Sequence, residues 1–390
     1  MKNILYLSFY FEPDLSAGSF RNTALSKELA SQLDGKANVH VITTQPNRYK
    51  SFKEKATAHE ENGNLIIDRI EVPEHKSGLL DQLYSYRAYF RGIKKITKNK
   101  KYDLVFVSSS RLFSSYIGRI AANKNKCPLY LDIRDLFVDN MKELIRRPAI
   151  KYPLNIFLKI IERLAFSRAN HINLVSEGFK ENFTAYKQAA YTYYPNGIDD
   201  VFLSLKQAAD IAASPKTILY AGNIGEGQGL EKIIPDLAEA MGSDYRIKIF
   251  GDGGTKNKLL NRLEALDLQN VELHNPVKRD TLLDQYSHAH FLFLHLNDFE
   301  AFKKVLPSKL FEYGATNIPV IAGVGGYAAS FVQQYIPNAI LFEPCNSKQA
   351  VSLLQQYHYH LEERNQFVEQ FKRANITKAL ASSIGSYLPN

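Results

Sequence analysis

The stretch VLPSKLFEYGATNIPVIAGVGG, residues 305–326, decides the fold. A Pro-Ser-Lys turn opens a short helix, 307–313, that carries Glu312, and Asn317 and Pro319 end it. The apolar run 320–322 reads as a buried strand passing straight into the glycine turn 323–326. A helix feeding such a strand is the layout at the carboxyl edge of a parallel sheet, where α/β proteins hold their ligands. A carboxylate there suits a sugar diol. A lysine suits phosphate, and bare backbone N–H groups suit more phosphate.

Outward from this stretch the same alternation continues. In the second half, strands 217–221, 246–250, 271–273, 291–295 and 340–342 alternate with helices 230–240, 256–266 and 279–286. The first half offers strands 4–11, 39–43, 104–108, 129–133 and 171–175, with helices 20–33 and 114–123. A further helix, 154–165, puts Leu154, Phe157, Ile161, Leu164 and Ala165 on one face. Strand–helix alternation predicts α/β architecture with parallel sheets covered on both faces. The turn Pro195-Asn196-Gly197 and the small, polar run 208–215 separate two such domains. The expected division is 1–200, 201–370 and a terminal helix, 371–390, able to return to the first domain. Two doubly wound domains in tandem are expected to face each other across a cleft.

Composition narrows the class. A chain of 390 residues has room for two domains, and 45% hydrophobic with 23% charged residues describes a globular protein. No apolar run reaches the roughly 18–20 residues that span a bilayer. The run 4–11 is followed by Glu12, Pro13 and Asp14 without a small-residue cleavage pattern, so it reads as a strand of a cytoplasmic protein. Cys127 and Cys345 read as free thiols in a reducing compartment. No metal-ligand spacing is present, and neither metal nor other cofactor is expected.

Charge is lopsided. Residues 1–200 hold 31 Lys+Arg against 21 Asp+Glu, whereas residues 201–390 hold 18 against 19. The excess points to an anionic partner. In the run 84–101, Arg87, Arg91, Lys94 and Lys98 recur at helical spacing beside Tyr86, Phe90, Ile93 and Ile96. Such a helix can lie on an anionic membrane surface with its aromatics at headgroup level. It can equally bury its apolar stripe in its own domain; the charge excess favours the membrane. No nucleic-acid-binding module surrounds the run, so nucleic acid is not an expected partner.

Each motif has two readings. In PDLSAGSFR, 13–21, Gly18 lets backbone approach phosphate, Ser19 caps a helix and Arg21 adds charge; an ordinary strand-to-helix turn fits as well. GNIGEGQG, 222–229, is a phosphate cradle or a flexible turn, and Glu226 is a poor neighbour for an anion. GDGG, 251–254, is turn chemistry or the face met by a base. Glu312 binds a ribose diol or pairs with Lys309 three residues earlier. In YLDIRD, 130–135, Asp132 and Arg134 share one strand face. They position a sugar hydroxyl, or form a buried ion pair at the strand end.

Together these pieces resemble the retaining glycosyltransferases of family GT4, and most nearly the N-acetyl-L-fucosamine transferases of bacterial O-antigen and capsule synthesis. The resemblance is carried by P-x-x-x-x-G-S-x-R (Pro13, Gly18, Ser19, Arg21), DIRDLF (132–137), VSEGF (175–179) and YPNGID (194–199). YAGNIG (220–225), FGDGG (250–254) and PSKLFEY (307–313) followed by GVGG (323–326) add to it. It implies the GT-B fold, two Rossmann-like domains. It also implies transfer of a sugar from a nucleotide-sugar, expected to be a UDP-sugar, with retention at the anomeric carbon. The implied acceptor is a lipid-linked oligosaccharide or glycan, reached at the inner face of the membrane.

By this resemblance Glu312 is the second glutamate of an E-x7-E motif, and Lys304 stands in place of the first. The usual Arg and Lys of a glycine-rich segment fall on Asn223 and Gln228, and Lys309, with Lys303 or Lys304, is expected to replace their charge. The implied donor-binding residues are Gly18, Arg21, Asn223, Gly251, Asp252, Lys304, Lys309, Leu310, Glu312, Gly325 and Gly326. The implied catalytic residues are Asp132, Arg134 and Asp135, orienting substrate with no protein nucleophile. Two other functions remain open: a UDP-sugar 2-epimerase of the same fold, and a catalytically degenerate scaffold.

Overall fold

The computed structural model describes residues 1–47, 56–73, 79–109, 112–144, 148–205, 207 and 209–389. The chain forms two compact units, residues 1–196 with 374–390, and residues 197–373.

The first unit is built on strands β1 (Lys2–Ser8), β2 (Ala37–Thr44), β3 (His59–Asn62), β4 (Leu65–Ile70), β5 (Leu104–Ser109), β6 (Leu129–Ile133), β7 (His171–Leu174) and β8 (Ala190–Thr192). Their order in the sheet is β3-β4-β2-β1-β5-β6-β7-β8. β3 pairs antiparallel, and the other pairs are parallel. Helices α1 (Ala17–Gln32), α2 (Leu79–Ile96), α3 (Leu112–Asn125), α4 (Phe137–Leu144) and α5 (Pro148–Phe166) connect the strands. The central strands are apolar on both faces because helices cover both: every residue of β5 and β6 is buried.

The second unit runs α6 (Asp200–Leu203), β9 (Lys216–Asn223), α7 (Leu230–Met241), β10 (Tyr245–Asp252), α8 (Lys256–Ala265), β11 (Val271–His274), α9 (Arg279–Ser287) and β12 (Phe291–His295). It continues with α10 (Lys309–Gly314), β13 (Val320–Gly323), α11 (Gly326–Tyr335), β14 (Ala339–Phe342), α12 (Ser347–Gln356) and α13 (Asn365–Phe371). The sheet order is β11-β10-β9-β12-β13-β14, parallel throughout. The order reverses between β1 and β5 in one unit and between β9 and β12 in the other. A doubly wound sheet opens a crevice at such a reversal.

The last helix, α14 (Arg373–Gly385), packs in the first unit. Its Leu380, Ala381 and Ile384 join Ile4, Leu25, Val39 and Leu104 in one core. The first strand ends at Ser8, three residues short of the apolar run, because Phe9, Tyr10 and Phe11 turn into the core as a loop.

Two helices present faces that differ from expectation. On α2, Tyr86, Tyr89 and Ile93 are buried; Tyr86 stacks on Phe9 with ring centroids 4.7 Å apart. The Tyr89 hydroxyl lies 3.0 Å from the Ser8 carbonyl and 2.7 Å from that of Ile42. These rings belong to the domain core, not to a headgroup layer, while Arg87, Arg91, Lys94 and Lys98 are exposed. On α5 the buried residues are Leu158, Ala165 and Phe166, and Phe157 points to solvent. No described helix is long and apolar enough to cross a membrane.

Candidate functional site

In the first unit the carboxyl ends of β1, β5, β6 and β7 converge on Asp132. Its Oδ2 takes the Arg21 Nε–H at 3.2 Å and the Ser108 hydroxyl at 3.3 Å. Its Oδ1 takes Arg21 at 3.1 Å and the Asn173 amide at 2.7 Å. Arg21 also donates to the Tyr194 carbonyl at 2.9 Å and to that of Pro195. Asp132 is wholly buried and Arg21 nearly so. The expectation that both touch substrate gives way to an interior network tying α1 and three strands to the 194–195 turn. Burial, and then the Asp132 charge, push the neighbouring Tyr6 hydroxyl well above its ordinary pKa. It therefore stays protonated and donates to Asn22 at 2.9 Å.

Arg134 lies just past the end of β6 and is half-buried. One of its guanidinium nitrogens would be 2.6 Å from a Cβ at Gly18, so the glycine lets the planar group lie against the first turn of α1. Another donates to Asn196 at 3.3 Å, while Nε is buried and makes no hydrogen bond within the described residues. Burial and the nearby Arg21 lower the Arg134 pKa. A cation with unmet donor capacity beside a helix N-terminus suits an anion. The cap of α1 is Ser16, which accepts from the Ser19 N–H at 3.1 Å; Ser19, the expected cap, is buried inside the first turn. Asp135 is half-buried beside Arg134.

In the second unit Glu312 sits on the single-turn helix α10. Its Oε2 lies 2.6 Å from Lys309 Nζ and 3.2 Å from the Tyr286 hydroxyl, and Lys309 donates to that hydroxyl at 3.0 Å. The Glu312 and Lys309 side chains keep 16% and 22% of their exposure, so the cluster reaches solvent. The described residues leave Oε1 without a hydrogen bond. Tyr286 is buried, which raises its pKa well above the ordinary value and keeps the hydroxyl protonated between its partners. Leu310 is wholly buried, with its N–H bonded to the Pro307 carbonyl at 3.1 Å.

The glycines have distinct tasks. A side chain at Gly251 would strike the Gly222 carbonyl, and one at Gly253 would strike the Ile224 backbone. These glycines let the β10 end approach the β9 loop, where Ile224 N–H bonds the Asp252 carbonyl at 2.9 Å. Asp252 Oδ1 takes the Gly253 N–H at 2.8 Å. Gly326 has φ +58° and a Cβ there would meet Lys303 backbone; Gly325 precedes it as the N-cap of α11 with no side-chain cap. The open N–H groups of α11 thus lie beside Lys303, which pairs with Glu300 at 2.5 Å, and Lys304 follows on the same turn. In the 222–229 loop, the Asn223 amide donates to Gln228 at 2.7 Å. The two positions expected to lack a cation pair therefore bind each other.

Two positioning residues escape a reading of the sequence. His295, at the end of β12, is wholly buried. Its Nδ1 donates to the Gln228 carbonyl at 2.6 Å and its Nε2 accepts the Cys345 N–H at 2.9 Å. Burial pushes its pKa down to about 4, so this neutral tautomer ties the glycine loop to the strand ends. Arg364 donates to the carbonyls of Tyr313, Thr316 and Ile318 and to Asn338, closing the carboxyl end of α10 beneath Glu312. Among the described residues no group of three or more His, Cys, Asp and Glu could hold a metal ion.

Comparison with known proteins follows this division. The profile described as "Glycosyltransferase Family 4" matches residues 24–202, and "Glycosyl transferases group 1" matches residues 203–374. The chain belongs to the family 4 glycosyltransferases. A curated relative, "Putative colanic acid biosynthesis glycosyl transferase WcaI" of Escherichia coli (strain K12), is 32% identical over 134 residues. That match takes in 34% of this chain and 30% of the relative's length. Among solved structures, Anabaena Alr3699/HepE in complex with UDP and glucose aligns at TM-score 0.67 and 16% identity, over 99% of this chain and all of that one. WaaG, a glycosyltransferase involved in lipopolysaccharide biosynthesis, aligns at 0.65 and 13%, over 98% and 96%. Such likeness establishes the GT-B fold of this family 4 glycosyltransferase.

Proposed function

We propose that this chain is a retaining glycosyltransferase that moves a sugar from a UDP-sugar to a lipid-linked or glycan acceptor in bacterial surface-polysaccharide synthesis. The observation that carries the reading is Glu312. One oxygen of its carboxylate is held by Lys309 and Tyr286, and the other is open at the edge of the second sheet. A carboxylate fixed by one oxygen and offered by the other suits the two hydroxyls of a ribose. HepE, whose solved complexes contain UDP and UDP-glucose, supports the choice of donor class.

The diphosphate would meet the open N–H groups of α11, with Lys303 and Lys304 nearby in place of a cation pair at Asn223 and Gln228. Lys309 serves Glu312, and so acts on the diphosphate only at longer range. In the first unit Arg134 and the first turn of α1 at Gly18 would attract negative charge, with Asp135 orienting a hydroxyl. Asp132 and Arg21 act through position, holding α1 and the β6 end in register. As the bond from the anomeric carbon to the diphosphate breaks, positive groups stabilise the developing charge. The leaving phosphate oxygen then takes the acceptor's hydroxyl proton on the same face, which retains configuration.

Calorimetry with UDP and UDP-glucose tests the donor assignment. The parent is expected to bind at least one, and Glu312→Ala to bind it about tenfold more weakly or worse, a loss of ~1.4 kcal/mol. Equal affinity in both proteins would overturn the ribose role. Turnover of a UDP-sugar without any acceptor would point to an epimerase instead.

A further inference from the structure

The second sheet has two edges, and the one away from Glu312 also carries a recess. At the amino ends of β9, β10 and β11 lies a cavity of about 410 Å³. That size falls within the roughly 300–1,000 Å³ of small-ligand pockets. β9 runs from Lys216 to Asn223, so roughly 20–25 Å of strand separates this cavity from the glycine loops at the carboxyl edge. Its lining comes from the carboxyl end of α7, the start of β10 and the turn after α8, and it shares no residue with the donor edge.

Two carboxylates of the lining stand where they do not help the fold. Glu239 is in the last turn of α7 and Asp267 lies just past the end of α8, and the carboxyl end of a helix disfavours negative charge. Asp267 also has φ +47°, a left-handed position that suits glycine or asparagine better. Such placements persist where a side chain serves something other than stability. The neighbours are fixed at one end and open at the other. Gln269 donates to Asp267 Oδ1 at 2.8 Å, which leaves Asp267 Oδ2 and the Gln269 carbonyl. Asn270 donates its amide to the carbonyls of Ala238 at 2.9 Å and Gly242 at 2.7 Å, which leaves its oxygen to accept. Arg246 meets Glu272 through Nε at 3.4 Å, and its terminal nitrogens make no hydrogen bond among the described residues. Tyr245 is half-buried, with its ring centroid 6.4 Å from that of Phe291, and its hydroxyl is likewise unused among the described residues. Planar polar groups of both kinds beside an aromatic ring match a pyranose. Carboxylate and amide oxygens accept its hydroxyl protons, a guanidinium fork donates to adjacent oxygens, and its ring carbons pack on tyrosine. An inorganic anion would face two carboxylates here, and an apolar ligand would strand the polar lining.

We propose that this cavity is a second sugar-binding site, which holds one pyranose ring of a glycan chain and performs no chemistry. Glu239, Asp267 and Asn270 accept hydroxyls, Arg246 donates to ring substituents, and Tyr245 lies against the ring carbons. The proposal rests on the transferase reading for its purpose, retention of a growing glycan, and not for its chemistry.

The test is saturation-transfer NMR and calorimetry of the full chain with glucose, galactose and N-acetylglucosamine, each with and without saturating UDP. The parent is expected to bind at least one of these sugars in the millimolar range, and UDP to leave that binding in place. Glu239→Gln/Asp267→Gly is expected to weaken it about fivefold or more, and Arg246→Ala about threefold or more. Both variants should keep the parent's thermal melt and its affinity for UDP and UDP-glucose. Asp267→Gly suits the left-handed backbone, so the double variant probes the carboxylates and not the fold. Parent-like sugar affinity in the double variant overturns the proposal. So does a parent that binds none of the three sugars, or sugar binding that saturating UDP abolishes, which would place it at the donor edge. Tighter, salt-sensitive binding of spermidine that the double variant loses would make the lining a cation site and overturn it too. Failure of the parent to bind UDP or UDP-glucose, with sugar binding intact, would break the transferase reading and leave this site standing.

Discussion

Asp132 and Glu312 invite comparison. Each is a carboxylate paired with a cation near the carboxyl edge of a parallel sheet, and each stands in a motif that suggests ligand contact. Asp132 is sealed: four donors from Arg21, Ser108 and Asn173 use both oxygens, and no surface remains. Glu312 is half-finished: two donors use one oxygen, and the side chain stays in reach of solvent. A sealed pair stabilises a shape. An open pair can exchange a water molecule for a hydroxyl of a ligand, because it has already met part of its ordering cost. The difference lies in the neighbours and not in the residues themselves.

The largest test of this contrast is removal of the sealed carboxylate. Asp132→Ala strands the Arg21 charge in the interior and is expected to cost ~3–5 kcal/mol in denaturant unfolding. A loss under ~1 kcal/mol would break the comparison at its first term.

Next comes pH. His171 in the first unit and His295 in the second are both pushed by burial to about 4. The unfolded chain binds these protons near pH 6.5, so stability is full above that value and falls as pH drops towards 4. Unfolding at pH 5 should show a loss of ~2 kcal/mol for each histidine relative to pH 7.5. His171→Gln and His295→Gln should each flatten that dependence in unfolding curves; an unchanged slope would mean the ring does not titrate there.

Glu312→Ala should do the reverse of Asp132→Ala. Stability should shift by less than ~1 kcal/mol, since the pair is part-exposed, while UDP affinity falls about tenfold. A large stability loss with unchanged affinity would reduce both carboxylates to one kind. The smallest effect belongs to Arg87→Glu/Arg91→Glu on α2: these exposed cations seal nothing, and the melt should move by no more than ~0.5 kcal/mol equivalent.

Much of the fold is legible in the sequence because strands buried on both faces read as apolar runs, and β5, β6, β12 and β13 are of that kind. β3 is not: its residues HEEN lie at a sheet edge with no apolar signature, and only pairing with β4 defines them. Helix α11 hides behind the glycine turn that begins it. Helix α5 is apolar nearly all round, so periodicity identifies a helix but not which face is covered, and Phe157 is assigned to the wrong side. Within the site, the Lys309–Glu312 pair is readable because its partners are three residues apart. His295 and Arg364 are not, because they hold backbone carbonyls contributed by distant segments.

The chain leaves the first unit after Asn196 and re-enters it at Ala374, so the second unit is an insertion within the first. The crossing is fastened on the second unit's side: Ile198 pairs with Lys372, and Asp199 takes Arg373. For a chain made from its amino end, this inverts the order of completion. All of the second unit has been synthesised before Leu380, Ala381 and Ile384 exist to fill the core that Ile4 began. The unit translated first is therefore finished last, and its unfinished core stays open while the insertion folds. Trimming or tagging the carboxyl tail thus acts on the domain at the opposite end of the gene.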